Sequence, residues 1–172
     1  ARHQLGGRAV VGVQVKADES YRDYPHMGAL VRALAREQPV LVFAEGAAPG
    51  FDVPGVVKVE GRPLREAFAL AAGCAVLVSP DSAFLHLAAA LAIPAVALFG
   101  PTSGRVRTAD YPRARALDTR ATLRCVPCWR NEDIPCALTG LKASVCLGEI
   151  AAMEVVRAVR EALSAAAAGG RP

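Results

Sequence analysis

Short runs of β-branched and aliphatic residues alternate along this chain with longer stretches whose apolar positions recur every three or four residues. The runs "RAVVGVQV" (8–15), "PVLVFAE" (39–45), "VVKVE" (56–60), "AVLVSP" (75–80) and "PAVALFG" (94–100) predict buried strands. Helical spacing appears in "YPHMGALVRALAREQ" (24–38), where Met27, Leu30, Val31 and Leu34 share a face and Arg32, Arg36 and Glu37 point away. "PLREAFALAAG" (63–73) and "SAFLHLAAALA" (82–92) predict two more helices, the first with Pro at its opening position. "GEIAAMEVVRAVREALSA" (148–165) predicts a closing helix with a buried stripe of Ile150, Met153, Val156, Val159 and Leu163. Residues 101–148 are rich in Arg, Pro and Cys with weak periodicity, and 166–172 is expected to be a disordered tail.

Strands alternating with helices imply an α/β fold, a Rossmann-like parallel sheet flanked by helices. Strands apolar on both faces agree, because helices cover both sides of such a sheet. Ligands of these folds bind at the carboxyl ends of strands. One polar cluster falls at such an end. Asp81 and Ser82 follow the strand 75–80 and open the next helix, and His86 stands one turn on from Ser82. Asp or Ser there caps free backbone N–H groups, and the same helix start favours an anion. A cap with a half-buried histidine is the plainer alternative.

The stretch "DSAFLHLAAALAIPAVALFGPT" (81–102) resembles, without a gap, the D-[TS]-G-x-x-H-L-A-A-A-L-G-x-P-x-V-A-L-F-G-P-T signature of glycosyltransferase family 9, the bacterial heptosyltransferases. "VGVQVKADESYRDYP" resembles the strand and polar loop that open that family's C-terminal domain, and "RCVPCWRNEDIPC" with "VCLGEI" resembles the cysteine-rich segment before its last helix. Ala83 and Ala92 stand where the family has Gly. The resemblance implies the C-terminal lobe of a GT-B glycosyltransferase that binds a nucleoside-diphosphate sugar. It implies a nucleotide-sugar-binding lobe over 1–165 with a Cys-rich insertion at about 121–148, and an acceptor lobe absent from this chain, on another segment or a partner chain.

Residue by residue, the resemblance places Asp81 on sugar hydroxyls. Ser82 and the backbone N–H groups of Ala83 and Phe84 would meet the diphosphate, with His86 beside them. Arg22 would be the cation on the diphosphate, with Lys16 as a second candidate. Glu45 would take ribose hydroxyls and Arg62 would lie near the base. No catalytic base is expected in this lobe, so the chain alone is expected to be inactive. The implied reaction transfers heptose or a related sugar to a lipopolysaccharide-type or protein acceptor in the bacterial cytoplasm, with the inner-membrane surface as a peripheral location.

Composition and charge alter this picture little. At 172 residues, 53% hydrophobic and 21% charged, the chain suits one globular domain. No uninterrupted apolar run of about 18 residues occurs, so a membrane span is not expected. There is no signal-peptide pattern and no initial Met, so a fragment of a longer protein is expected. The net charge of +4 is uneven, with Arg105, Arg107, Arg113, Arg115, Arg120, Arg124 and Arg130 opposed by Asp110 and Asp118. That stretch could meet phosphate or an anionic membrane, or be a solvated loop.

Cys125, Cys128, Cys136 and Cys146 have spacing compatible with a structural tetrathiolate site for zinc, with iron as runner-up, or with free thiols or a disulfide. Some members of the resembled family carry cysteine-ligated iron. Cys74 reads as a small buried hydrophobe. Two other functions are weighed: a stand-alone or vestigial nucleotide-binding module, and, more remotely, a zinc-ribbon-like nucleic-acid module. The last is disfavoured because only Tyr111 and Trp129 offer stacking faces near the arginines.

Overall fold

The computed structural model describes residues 4–5 and 8–168. In chain order it contains β1 (Gln4–Leu5), β2 (Arg8–Ala9), β3 (Val11–Gln14), a 3-10 turn (Ser20–Arg22), α1 (Met27–Ala35), β4 (Val40–Ala44), β5 (Val56–Glu60) and α2 (Leu64–Ala71). Then come β6 (Val76–Pro80), α3 (Ala83–Ala90), β7 (Ala95–Leu98), α4 (Gly104–Arg107), β8 (Ala114–Leu117), α5 (Val145–Gly148) and α6 (Ala152–Ala168). Six strands form a parallel sheet in the order β5-β4-β3-β6-β7-β8. Numbered within that sheet, the order is 3-2-1-4-5-6, the doubly wound Rossmann arrangement.

The period-2 alternation of each strand divides the core in two. Val40 and Val42 of β4, Val76 and Val78 of β6, and Val96 and Leu98 of β7 face α1 and α6. Leu41 and Phe43, Leu77, and Ala95 and Ala97 face the opposite layer, with Ala67 and Ala71 of α2 and Phe84 and Leu85 of α3. Both faces are covered, which is why the strands are apolar throughout. Two-sided burial also demands a small residue where layers press closest. A Cβ on Gly12 of β3 would lie 2.5 Å from Leu77 Cδ2 and 3.1 Å from Phe43 Cε2.

Several expectations need correction. The run 8–15 is not one strand. Arg8–Ala9 pairs antiparallel with Gln4–Leu5, and only Val11–Gln14 enters the main sheet. The edge strand β8 falls in the stretch read as aperiodic. Its four residues include the exposed Arg115 and bury only Leu117 fully, so no alternating pattern marks it. The closing helix starts at Ala152 rather than 148 and is preceded by the separate turn α5. Its buried positions are Val155, Val156, Ala158 and Val159, while Met153 is 58% exposed. Ile150 is buried ahead of the helix, where its carbonyl accepts a 2.7 Å hydrogen bond from the Tyr24 hydroxyl. Of the expected tail, 166–168 is helical and 169–172 lies outside the described residues.

Ala92 shows what replacing the family's Gly does. It adopts φ 50°, the left-handed region. The end of α3 is a Schellman motif: Ile93 N–H donates to Ala88 O at 2.8 Å and Ala92 N–H to Ala89 O at 3.1 Å. A side chain in that conformation costs about 1 kcal/mol that glycine avoids. Ala92→Gly is therefore expected to stabilise the fold by about 0.5–1 kcal/mol, read as a higher urea midpoint at unchanged slope. An unchanged or lower midpoint would contradict the strain.

Candidate functional site

The strand order reverses between β3 and β6, so the connections leaving their carboxyl ends part and open a crevice. Gln14 ends β3, and Ser79 and Pro80 end β6. Ser79 is fully buried and donates to Gln14 Oε1 at 3.0 Å, and its Oγ lies 2.8 Å from Ser82 Oγ. Ser82 also donates to Gln14 Oε1. Ser82 has extended backbone, the shape of an N-cap, and its Oγ accepts from Phe84 N–H at 3.3 Å. This hydroxyl web ties the two strand ends to the first turn of α3.

Asp81 sits above the web and is only 3% exposed. Arg22, from the turn after β3, donates through Nη1 to the Asp81 carbonyl oxygen at 2.7 Å. Arg107, from α4, places Nε 3.3 Å from Asp81 Oδ2. That contact is electrostatic only, since Oδ2 is a buried oxygen with no aligned hydrogen-bond donor among the described residues. Arg22 Nε is likewise buried and unpartnered. Arg22 also pairs with Glu19. Two guanidiniums, a buried carboxylate with a spare lone pair and a helix N-terminus thus meet at the switch point, a combination suited to an anion bearing hydroxyl groups. Both cations are already paired. An arriving diphosphate must compete with Glu19 for Arg22, a partly exposed pair that holds weakly, and share Arg107 with the buried Asp81 rather than displace it.

Arg22, Asp81 and Ser82 are thus brought together. Ala83 is the first residue of α3 and is not left-handed, so alanine in place of the family's glycine strains nothing there. Its Cβ is exposed on the first turn. The Phe84 N–H donates to Ser82 Oγ and its ring is buried, so to meet a diphosphate it would have to share or leave that cap. His86 is exposed and turns elsewhere: its Nδ1 lies 2.7 Å from the Tyr111 hydroxyl. Lys16 is exposed just past β3 and acts on Asp23 through its charge. Burial pushes the Asp23 carboxyl upward, opposed by the Ala17 N–H and Lys16. Glu45 is exposed at the end of β4, and Arg62 lies after β5 with Nη1 3.6 Å from Glu66.

Sequence reasoning passed over Arg107 and Gln14. Arg107 was counted among seven arginines, and nothing in its neighbours singled it out. Four of the seven have separate contacts, Arg107 with Asp81 among them. Arg113 donates to Ala92 O at 2.9 Å, Arg115 pairs with Glu161, and Arg130 is buried against the backbone.

The cysteine segment spans 118–144 without helix or strand before α5. All five cysteines are free thiols. Burial raises the Cys146 thiol to about 11, and the nearby Cys128 and Cys136 add to the rise. Burial also acts upward on Cys136, yet N–H groups of Leu138, Val145 and Thr139 and the Thr139 hydroxyl bring it below the usual thiol value. No three metal-ligating groups converge among the described residues, so the expected tetrathiolate geometry is not formed. Cys74 is buried, as expected, its thiol pushed up to about 12 by burial. A separate groove of about 360 Å³ lies at the amino ends of β7 and β8 against α6, lined largely by alanine and far from the switch point.

Residues 7–136 match the family described as glycosyltransferase family 9 (heptosyltransferase), and the chain belongs to that family. Among solved structures it is similar to ADP-heptose lps heptosyltransferase II of E. coli, with TM-score 0.69 and 23% identity over 93% of this chain and 48% of that one. It is also similar to a family 9 glycosyl transferase from Veillonella parvula DSM 2008, with TM-score 0.69 and 16% identity over 94% and 48%. A third is the iron-containing dodecameric glycosyltransferase TibC from enterotoxigenic E. coli H10407, with TM-score 0.72 and 15% identity over 99% and 50%. No curated protein matches. The chain spans about half the length of these structures. The likeness to them establishes the Rossmann-like fold of one half of such structures, and the family rests on the sequence match.

Proposed function

We propose that this chain is the donor-binding half of a glycosyltransferase and takes a nucleoside-diphosphate sugar at the β3–β6 crevice. The observation that carries the reading is Asp81, buried with an unsatisfied Oδ2 between Arg22 and Arg107 at the start of α3. In the transfer, an acceptor hydroxyl oxygen bonds the anomeric carbon as the bond from that carbon to the phosphate oxygen breaks. The electron pair leaves with the diphosphate, and the hydroxyl proton goes to a base outside this lobe. Arg22, Arg107 and the helix start stabilise the departing charge. Asp81 Oδ2 accepts from a sugar hydroxyl. Glu45 would grip ribose and Arg62 border the base, both being exposed at the same end of the sheet, past β4 and β5, and Lys16 would supply long-range attraction. The donor sugar is heptose or a close relative, the acceptor a lipopolysaccharide-type or protein hydroxyl presented by a second lobe, and the setting the cytoplasm beside the inner membrane. The family match and a neighbour solved with ADP-D-beta-D-heptose support heptose as the donor sugar.

Calorimetric titration with ADP, UDP, GDP and their sugars, beside Asp81→Asn, tests the reading. One nucleotide sugar is expected to bind, with at least about tenfold loss in the variant. A folded chain that binds none of them would sink it.

The same reading includes a structural metal held by Cys128, Cys136 and Cys146 with Cys125. The support is the influence of Cys128 and of Cys136 on the Cys146 thiol, the N–H groups that bear on the Cys136 sulfur, and the iron named for TibC. Such a metal would staple the segment and takes no part in transfer. Elemental analysis should find about one equivalent of zinc or iron per chain, lost on replacing Cys136 and Cys146 with serine; a metal-free, fully folded chain excludes it.

A further inference from the structure

The segment between Cys128 and Cys146 reaches back over the turn that carries Arg22. Glu132 Oε1 accepts from Ser20 Oγ at 2.6 Å and Oε2 from Tyr21 N–H at 3.4 Å. Arg130 is 7% exposed and has no acidic partner among the described residues. It donates to Ile134 O at 2.7 Å, to Lys142 O, and to Ser144 Oγ at 2.6 Å. Ser144 in turn donates to Tyr21 O. The Arg130 guanidinium lies 5.1 Å from the Tyr21 ring centre, and that of Arg22 lies 5.3 Å from the same ring. Tyr21 is therefore held at its N–H, its carbonyl and its ring, one residue before Arg22.

The turn needs that hold. It is three residues long, and its closing bonds are Arg22 N–H to Glu19 O and Asp23 N–H to Ser20 O, both 3.0 Å. So short a 3-10 turn does not hold its own position in water. Arg22 must nevertheless keep Nη1 on the Asp81 carbonyl to present its remaining donors to the crevice. The same segment touches the second cation: Trp129 N–H donates to Pro101 O at 2.7 Å, and Arg107 lies 5.8 Å from the Trp129 ring centre.

We propose that Glu132 and Arg130 are positioning residues that set Arg22 for the donor diphosphate through Ser20, Tyr21 and Ser144. This role rests on the donor reading above. Neither residue touches the crevice groups themselves. Their effect is to remove turn and side-chain freedom that binding would otherwise have to freeze.

The test uses the whole chain with Glu132→Ala and Glu132→Gln. Alanine removes both acceptors, whereas the glutamine amide oxygen still accepts. Affinities for ADP and for adenosine are measured by calorimetry, and exchange of the Tyr21 amide by hydrogen–deuterium NMR. Glu132→Ala is expected to bind ADP about tenfold more weakly with adenosine within about twofold, and to exchange the Tyr21 amide about tenfold faster. Glu132→Gln should recover ADP affinity to within about threefold. Equal losses for ADP and adenosine would mean a general structural role and overturn the proposal. So would unchanged ADP affinity in Glu132→Ala while the wild-type chain binds ADP. A wild-type chain that binds adenosine but gains nothing from the diphosphate overturns the donor reading itself, a distinct failure.

Discussion

Arg22→Ala is expected to weaken ADP binding by about 100-fold while leaving adenosine within about twofold. A charge-assisted contact to a partly buried diphosphate contributes about 2–4 kcal/mol, and each 1.4 kcal/mol is tenfold. Arg22 is placed to make such a contact, with Nη1 anchored on Asp81 O and a buried Nε left without an acceptor. Lysine should restore little. One ammonium cannot both hold the Asp81 carbonyl and present a planar fork to two phosphate oxygens. ADP binding should also weaken with added salt, and less steeply in Arg22→Ala. Isothermal titration at two salt concentrations reads both effects. A loss below about threefold, with the fold intact, would move the diphosphate onto Arg107 and the helix start alone.

Phe43→Ala is expected to destabilise the fold by about 3–5 kcal/mol, against total stabilities of about 5–15 kcal/mol for such domains. Phe43 is 1% exposed on β4, one strand in from the sheet edge. Its ring lies 5.0 Å from that of Phe84, which meets Phe68 edge-on at 5.3 Å. This file of rings joins β4 to the start of α3, so its removal opens a cavity under the helix that carries Ser82. Phe43→Leu should lose about 1.5 kcal/mol or less, since most of the volume remains. Urea unfolding measures both. An alanine loss smaller than that of leucine would contradict the packing.

The strands and most helices could be read from pattern because the two-layer burial that selects them writes a period of two or of about 3.6 into the residues themselves. Val40 and Val42 against Leu41 and Phe43 are an instance, one pair for each face. Elements that bury little left no such trace. The edge strand β8 buries Leu117 fully, and α5 is a single turn. The register of α6 was misread for a related reason. Ile150 is apolar and buried, but it packs from the preceding link, so it shifted the apparent stripe onto the exposed Met153.

The candidate site divides the same way. A local motif placed Asp81 and Ser82, because a strand end running into a capped helix is written in adjacent residues. Arg22 came from a family resemblance in a loop. Arg107, Gln14, Arg130 and Glu132 had no local mark. Their contacts are to groups distant in sequence: Arg107 to Asp81, Gln14 to Ser79 and Ser82, and Arg130 and Glu132 to the turn at Ser20 and Tyr21. Side-chain hydrogen bonds between remote segments impose no periodicity, so only the folded chain reveals them. The sequence by itself determined the parallel sheet flanked by helices and the polar motif at a strand's carboxyl end, since burial pattern and cap chemistry are written in adjacent residues. The tertiary structure alone decided which cations reach the motif and what holds them there, since that depends on where three separated loops come to rest.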